Sequence, residues 1–481
     1  MDAQGEVGAG MIEAAAVNGR VGSVGAGALE TGRGLPPRLA EVPGFVAFMG
    51  TGWGQPDRAA SLAPGAAAAA ATHRARLSAA LPDETVVVRA GTAPMRSNDS
   101  AYDFRADSDF VWLAGASIED AVLAMTPAAG GHDAVLYIPP PALPGVPEFF
   151  ADAAHGELWV GPVPGMAEWS AALDLPVRPL AQLPEEVGSA APDDEAVLRR
   201  VLAELRMVKD AWEIEQLRQA VDDTVSGFAA VLAEVPRAMT GPGERWLQGT
   251  FDRHARTVGN GPGYASIVGG GHHAPTLHWV RCDGPVTDGE LLLLDMGVET
   301  HTLYTADVTR TFPVSGRFSE AQRQVHDLVE RSHRAGLAAV GPGREFTDFH
   351  HASMEVIATG LHDWGLLPVS VDEALAPTGQ HHRRWLVCGI GHHLGLDVHD
   401  CAQSRPEAYD GARMRPGMVL TVEPGLYFHA HDELVPPELR GLGVRIEDDL
   451  LVTPTGAEVL SSALPLDAPG LEAWMAQTVP G

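Results

Sequence analysis

Apolar positions in this chain fall into short runs broken by Gly, Pro and Asp. Between residues 84 and 161 the runs ETVVVRAG, DFVWLAG, AVLAM, AVLYIPP and ELWVG each read as four to six residues of strand. With helical and loop stretches between them they predict an α/β layer over roughly residues 38–185. The Ala66–Ala71 run followed by THRARLSAAL predicts a helix, because alanine loses least on entering one. PLAQLPEEVGSAAPDDEA has prolines, acids and little periodicity, and reads as the exit from this layer. Asp210 and Glu213 are spaced as a capping box, which predicts a helix running to about Glu234. The expected division is therefore a domain over 38–190 and a second over 191–481, after a tail over 1–37. Residues 1–34 hold nine glycines and no aromatic residue, too little apolar surface to offset the entropy of ordering, so the tail is expected to be disordered.

The second half repeats itself. GELLLLDMGVE and YTADVTRTFPV are two strand-like runs close together, and GMVLTVEPGLY and GVRIEDDLLVT restate the arrangement later. Gly289 precedes Asp295 by six positions and Gly417 precedes Glu423 by six, with Gly297 and Gly425 two positions after each acid. Duplication of one strand–turn–strand unit explains this, and it sets Asp295, Asp307, Glu423 and Glu447 at equivalent places.

Those four acids lie in or at the ends of apolar, β-branched runs. A carboxylate buried there needs a cation or strong hydrogen bonds. Arg310 and Arg445 are near enough in sequence to pair with some of them, but two arginines do not neutralise four acids, whereas a pair of divalent metals does. The stretch GIGHHLGLDVHD adds His392 and His399, seven residues apart and flanked by glycines that let backbone approach closely. Imidazole among carboxylates suits Mn, Fe, Co or Zn better than Ca or Mg. His278, in APTLHWV, is a further candidate, set in an apolar context where a neutral imidazole could donate to a substrate oxygen. The chemistry these groups predict is metal-assisted hydrolysis, with a metal-lowered water pKa, a carboxylate to move the proton and imidazoles to polarise the scissile carbonyl.

Composition narrows the partners. With 33 Lys+Arg against 63 Asp+Glu the net charge is −30, which argues against nucleic acid or an anionic membrane surface and leaves cationic small molecules, peptide amino termini and metals. Hydrophobic content of 45% and charged content of 20% describe a globular chain of 481 residues with ample core. Cys282, Cys388 and Cys401 show no paired spacing, which fits a reducing compartment. Neither a signal peptide nor an apolar run of ~18 residues is visible, so a soluble, cytoplasmic protein is expected.

The set Asp295, Asp307, His392, Glu423 and Glu447 resembles the five metal ligands of the pita-bread metallopeptidases, which include methionine aminopeptidase, prolidase and aminopeptidase P. DMGVETHTLYTADVTRTFPVSGRFSEAQR, HHLGLDVHD, TVEPGLY and GVRIEDDLLVT are most similar to the aminopeptidase P (Xaa-Pro aminopeptidase) branch, and MRSNDSAYDFRADSDFVWLAG resembles that branch's smaller domain. The resemblance spans roughly residues 38–460. It implies an α/β (α+β) fold: a pita-bread catalytic domain with an internal pseudo-twofold repeat, preceded by a smaller creatinase-like α/β domain. It further implies removal of the N-terminal residue from peptides with proline second, by a hydroxide bridging two divalent metals. Manganese is the expected metal, with cobalt, iron or zinc as alternatives, and a homodimer or homotetramer is the expected assembly. Asp307 and Glu447 would bridge the metals, Asp295 would complete one site, and His392 with Glu423 would complete the other. Glu423 would also accept the proton, His278 and His399 would contact substrate, and Arg445 and Tyr264 match an arginine and a tyrosine near the centre. Trp112 is a candidate for the substrate entrance or a subunit contact, beside plain core packing.

One position departs from the family pattern. Four residues before the metal-binding histidine the family usually carries another histidine, and here Cys388 stands there. A thiol hydrogen-bonds weakly and carries no positive charge. His381, His382 and His393 are the nearby imidazoles that can substitute for it. Two other readings stay open: a prolidase restricted to Xaa-Pro dipeptides, and a binding homologue that has lost catalysis.

Overall fold

The chain is described by a computed structural model over residues 37–188 and 192–479. The tail expected to be disordered lies outside the described residues apart from Pro37, and so does the stretch around the expected boundary near residue 190. Two compact units emerge.

The smaller unit takes the chain up to Gln55 together with Ala142–Gly161. Its core is aromatic: Phe45 meets Phe150 edge-on at 5.2 Å between ring centroids, and Trp53 meets Phe149 at 5.0 Å. ELWVG, expected as a strand, is here a helical turn, Glu157–Val160, ended by Gly161 at φ 85°. The turn satisfies its own donors, with Trp159 and Val160 N–H both reaching the Gly156 carbonyl, and Trp159 Nε1–H adds a bond to the Phe150 carbonyl at 2.8 Å.

The larger unit comprises Pro56–Pro141 and Pro162–Gly481. The alanine run forms helix α1 (Ala66–Ala80), as expected. Strands β1 (Val86–Arg89), β2 (Val122–Ala128), β3 (Gly131–Ile138) and β4 (Val177–Pro179) make a sheet in the order β1-β2-β3-β4, antiparallel except for the last pair. DFVWLAG, also expected as a strand, is helix α2 (Ser108–Ala114). Asp107 Oδ1 accepts from the Asp109 and Phe110 N–H groups at 3.0 and 3.3 Å, and Gly115 closes the helix at φ 80°. The caps decided the element, because a short buried apolar run serves strand or helix equally well. Trp112, on α2, is core: it is 2% exposed, stacks on His73 at 4.2 Å and donates its indole N–H to Glu213 at 3.1 Å.

Helix α3 (Pro192–Arg206) leads into α4 (Ala211–Ala233). The capping box is as expected, with Asp210 Oδ1 accepting from Glu213 N–H at 2.9 Å and Glu213 Oε2 from Asp210 N–H at 2.8 Å. Strands β5 (Ile267–Gly270), β6 (Leu291–Met296) and β7 (Val308–Pro313) form an antiparallel sheet in the order β7-β6-β5. Helices α5 (Glu320–Ala339) and α6 (Asp348–Asp363) then pack through Leu328, Val329, Ile357 and Leu361. The second half of the repeat follows as β8 (Val419–Val422), β9 (Gly425–Tyr427), β10 (Gly443–Arg445), β11 (Asp448–Thr453) and β12 (Gly456–Val459).

The internal repeat is visible in the ladders. β6 pairs antiparallel with β7 so that Asp295 faces Thr309, and β8 pairs antiparallel with β11 so that Val422 faces Asp448. Thr309 also bridges Glu447 from the other half. The two copies therefore meet at one threonine, with an acid of each copy beside it. All three cysteines are free thiols, and no described helix is long and apolar enough to cross a membrane.

Candidate metal centre

Each candidate side chain is delivered by the end of a strand or by the turn next to it. Asp295 is the penultimate residue of β6 and Asp307 immediately precedes β7. Gly297 lets these two turns cross: a Cβ there would stand 1.7 Å from the Ala306 carbonyl oxygen, so only glycine fits. Glu423 follows β8 and Glu447 sits between β10 and β11. Residues 390–393 run beside β8, where Glu423 N–H donates to Ile390 O at 2.7 Å and Thr421 N–H to His392 O at 2.9 Å. Gly391 allows that approach, since a Cβ there would meet the Thr421 carbonyl oxygen at 2.0 Å.

These turns converge. One donor atom each from Asp307, His392 and Glu447 lies within 4.8 Å of the others. His392 Nε2 stands 3.4 Å from Asp307 Oδ2 and 3.7 Å from Glu423 Oε1. Its Nδ1 lies 3.0 Å from the His393 carbonyl, which fixes the proton on Nδ1 and turns Nε2 toward the acids. The Tyr264 hydroxyl is 2.6 Å from Asp295 Oδ1 and 2.6 Å from Asp307 Oδ1, and its one hydrogen serves one of them at a time. Asp295, Asp307 and Glu447 are buried, while Glu423 is partly open.

Only one of the two candidate arginines joins the cluster. Arg445 pairs with Asp295, donates to Thr309 Oγ1 at 3.0 Å and reaches the Tyr427 hydroxyl at 3.0 Å. Arg310 instead binds Asp448 at 2.7 Å and the Glu447 carbonyl at 2.6 Å, so its charge is spent on another acid. Four carboxylates thus face one guanidinium and one imidazole. Burial, then the Asp307 and Glu423 charges, push the Glu447 carboxyl well up, and burial pushes Glu423 to about 7. Burial lowers His392, but Asp307 and Glu423 outweigh it and hold it at about 9. Burial also raises Asp295 against the pull of Arg445, whereas for Asp307 the contacts to His392 outweigh burial and leave it low. Glu447 Oε1 is buried with no hydrogen-bond partner among the described residues. An excess of converging, incompletely paired carboxylates with one oriented imidazole fits divalent metal ions.

The other candidates lie at the rim. His399 packs edge-on against His392 at 4.3 Å, and burial followed by the charges of His392 and His278 lowers its pKa. His278 is solvent-exposed, not set in apolar surroundings. Cys388 stands close enough for Glu423 to act on it; burial, then Glu423, push its thiol up to about 11, so it stays protonated. Two of the proposed substitutes for a histidine here are engaged elsewhere. His382 Nδ1 is at 2.9 Å from the Ala374 carbonyl, and His393 stacks on Phe346 at 4.6 Å.

Sequence reasoning missed the support behind His399. Asp400, its neighbour, is fully buried, binds Lys209 Nζ at 3.0 Å and pairs with Arg206. Arg206 also holds Asp109 of α2 at 2.7 Å and Asp397 at 2.9 Å. A cavity of about 300 Å³ beside this clamp is lined by Arg105, Asp109, Arg206, Asp397 and His399. The signal was hidden because Arg206 and Asp400 are far apart in sequence, and an Arg in an amphipathic helix ordinarily faces water. Arg206→Met strands buried Asp109 and leaves Asp400 to Lys209 alone, and is expected to destabilise the fold by about 3–5 kcal/mol in urea denaturation. A loss below ~1 kcal/mol, the range of a surface pair, would contradict this role.

Comparison with known proteins follows the same lines. The family described as Metallopeptidase family M24 matches residues 215–454, and Aminopeptidase P, N-terminal domain, matches residues 70–198. The chain is 48% identical over 434 residues to Xaa-Pro aminopeptidase 1 of Streptomyces coelicolor, spanning 85% of this chain and 87% of that relative. It is 32% identical over 429 residues to Xaa-Pro aminopeptidase of Escherichia coli, spanning 82% and 94%. Among solved structures it resembles aminopeptidase PepP of Pseudomonas aeruginosa with a TM-score of 0.75 and 29% identity, covering 87% of this chain and 99% of that one.

Proposed function

The chain belongs to the Xaa-Pro aminopeptidases (aminopeptidase P) of metallopeptidase family M24 and is a metal-dependent aminopeptidase acting on peptides, and on that premise we propose that it removes the N-terminal residue from peptides with proline second, using two divalent metal ions, manganese for preference. The observation that carries the reading is the convergence of Asp295, Asp307, His392, Glu423 and Glu447 with a single paired arginine. Asp295, Asp307, His392, Glu423 and Glu447 would hold the ions, with Asp307 and Glu447 central among them. When bound, such a pair supplies Lewis acidity that makes hydroxide available near pH 7.

The chain's own groups do the rest. Glu423, partly open to solvent, takes the proton of the attacking water and returns it to the departing proline nitrogen. His399 and His278, at the rim, orient the substrate and polarise its scissile carbonyl. Arg445 keeps Asp295 and, through Thr309, Glu447 in place. The acidic surroundings draw the cationic peptide amino terminus. The N-terminal family match ends at residue 198 and the M24 match begins at 215, which favours a division a little beyond the expected residue 190, and a cytoplasmic homodimer or homotetramer completes the proposal.

The test is a manganese-dependent assay on a Xaa-Pro-Xaa tripeptide, a longer peptide and a Xaa-Pro dipeptide, alongside elemental analysis. Cleavage of the longer substrates with two metal equivalents is expected. Fewer than two equivalents with no Xaa-Pro hydrolysis after manganese addition would overturn the reading, and cleavage of the dipeptide alone would make the protein a prolidase. Cys388→His is expected to raise kcat/KM on the tripeptide by about tenfold or more, the gain of one well-placed cationic donor. An unchanged kcat/KM would show that the thiol is no handicap.

A further inference from the structure

Outside the catalytic centre, two more groups of potential metal donors occur among the described residues. In the first, His73, Asp210 and Glu213, every side-chain donor atom already has a hydrogen-bond partner. His73 Nδ1 contacts the Trp112 carbonyl at 2.7 Å and Nε2 contacts Asp210 at 3.1 Å, while Glu213 accepts from Trp112, Tyr304 and Asp210 N–H. That group is a closed structural network.

The second group differs. His326 on α5 is 0% exposed, and neither ring nitrogen has a hydrogen-bond partner among the described residues. Buried polar groups are nearly always paired, so an orphaned imidazole marks a missing partner. Its ring lies against Phe318 at 4.8 Å, and burial, then the charges of Arg323 and Arg310, push its pKa down to about 3. It is therefore neutral, the form that ligates metals. Asp327 follows it in sequence, and Glu330 stands four residues on, over the same face of the helix. A donor atom from each of the three lies within 4.8 Å of the others.

We propose that His326, Asp327 and Glu330 form a further divalent-cation site on the outer helix, separate from the catalytic centre, for a borderline transition metal of the zinc or cobalt class. One neutral nitrogen and two carboxylate oxygens, completed by water, match the ligand preference of those ions. The buried imidazole supplies a directed lone pair, and the partly exposed acids leave a way in from solvent. Competition is modest. Asp327 is shared with Arg323 Nε at 3.2 and 3.4 Å, and Glu330 Oε1 accepts from Arg334 Nε at 2.8 Å, both single turns of an exposed helix face. Asp467, the acid whose charge raises His326, is occupied as a helix cap by Gly470 N–H at 2.8 Å.

The test uses the full chain carrying Asp307→Ala, which removes a central ligand of the catalytic cluster, with Zn2+ or Co2+ alone as probe. One equivalent is expected by calorimetry and elemental analysis beyond any ion that the impaired catalytic cluster keeps. Adding His326→Gln, or separately Glu330→Gln, is expected to weaken that equivalent at least tenfold. Glu330→Gln alone is expected to leave manganese-dependent activity unchanged. Retention of the equivalent at unchanged affinity in both double variants would overturn the proposal, as would its absence from Asp307→Ala alone. Glu330 is partly open to solvent and glutamine keeps its shape, so its variant keeps the question decidable if His326→Gln fails to fold.

Discussion

Replacing Asp307 by alanine is expected to lower kcat/KM on a Xaa-Pro-Xaa tripeptide by at least about 10³-fold, the loss that follows when a directly placed charge is removed from a catalytic centre. The residue has no substitute. Oδ1 lies 2.6 Å from the Tyr264 hydroxyl, Oδ2 lies 3.4 Å from His392 Nε2, and its N–H donates to Asp449 Oδ2 at 3.1 Å. Alanine keeps the backbone bond and loses both side-chain contacts. Metal bound to the catalytic cluster is expected to fall below two equivalents while far-ultraviolet circular dichroism stays unchanged. Activity within tenfold of the parent would mean that Asp307 is not a central metal ligand.

Glu447→Gln is expected to produce opposite effects on stability with and without metal. Glu447 Oε2 accepts from Thr309 Oγ1 at 2.7 Å, and a glutamine carbonyl can keep that bond. The carboxyl is pushed well up by burial, then by Asp307, Glu423 and Asp295. A folded pKa above the unfolded one gives stability that is complete below the unfolded value and is lost as pH rises toward the folded one. Metal-free parent protein is therefore expected to weaken as pH rises above the ordinary glutamate value of about 4.3, and the metal-free variant to weaken less. At pH 8 in chelator its Tm is expected to exceed the parent's by at least about 2 °C. Added manganese is expected to reverse the order, because binding to the native state alone stabilises by about 2.7 kcal/mol at a hundredfold excess over Kd. The parent gains that stabilisation, and a variant short of one of the proposed metal-holding carboxylates does not. Scanning calorimetry across that pH range checks it; a variant less stable than the parent in chelator would show that Glu447 does not carry the electrostatic strain.

Much of this was legible in the chain itself. The paired spacings Gly289–Asp295 and Gly417–Glu423 are local and survive as β6 and β8 with an acid at the end of each. The Asp210–Glu213 capping box is local and forms as read. Cys388 at the rim beside Glu423 also follows from its distance to His392. Where sequence reasoning failed, the determinant lay in caps and partners. DFVWLAG and ELWVG have strand-like composition, but Asp107 and two glycines close them as helical turns. His278 looked apolar in its neighbours and is exposed.

What the sequence determined by itself is which four acids stand at equivalent strand ends, because repetition and spacing along the chain record those ends. Only the tertiary structure decided how their charges are shared. Arg445 goes to Asp295 while Arg310 goes to Asp448, and Arg206 spans Asp109, Asp397 and Asp400 from distant segments. Charge pairing depends on distance in space and on burial, and neither can be read from position along a chain.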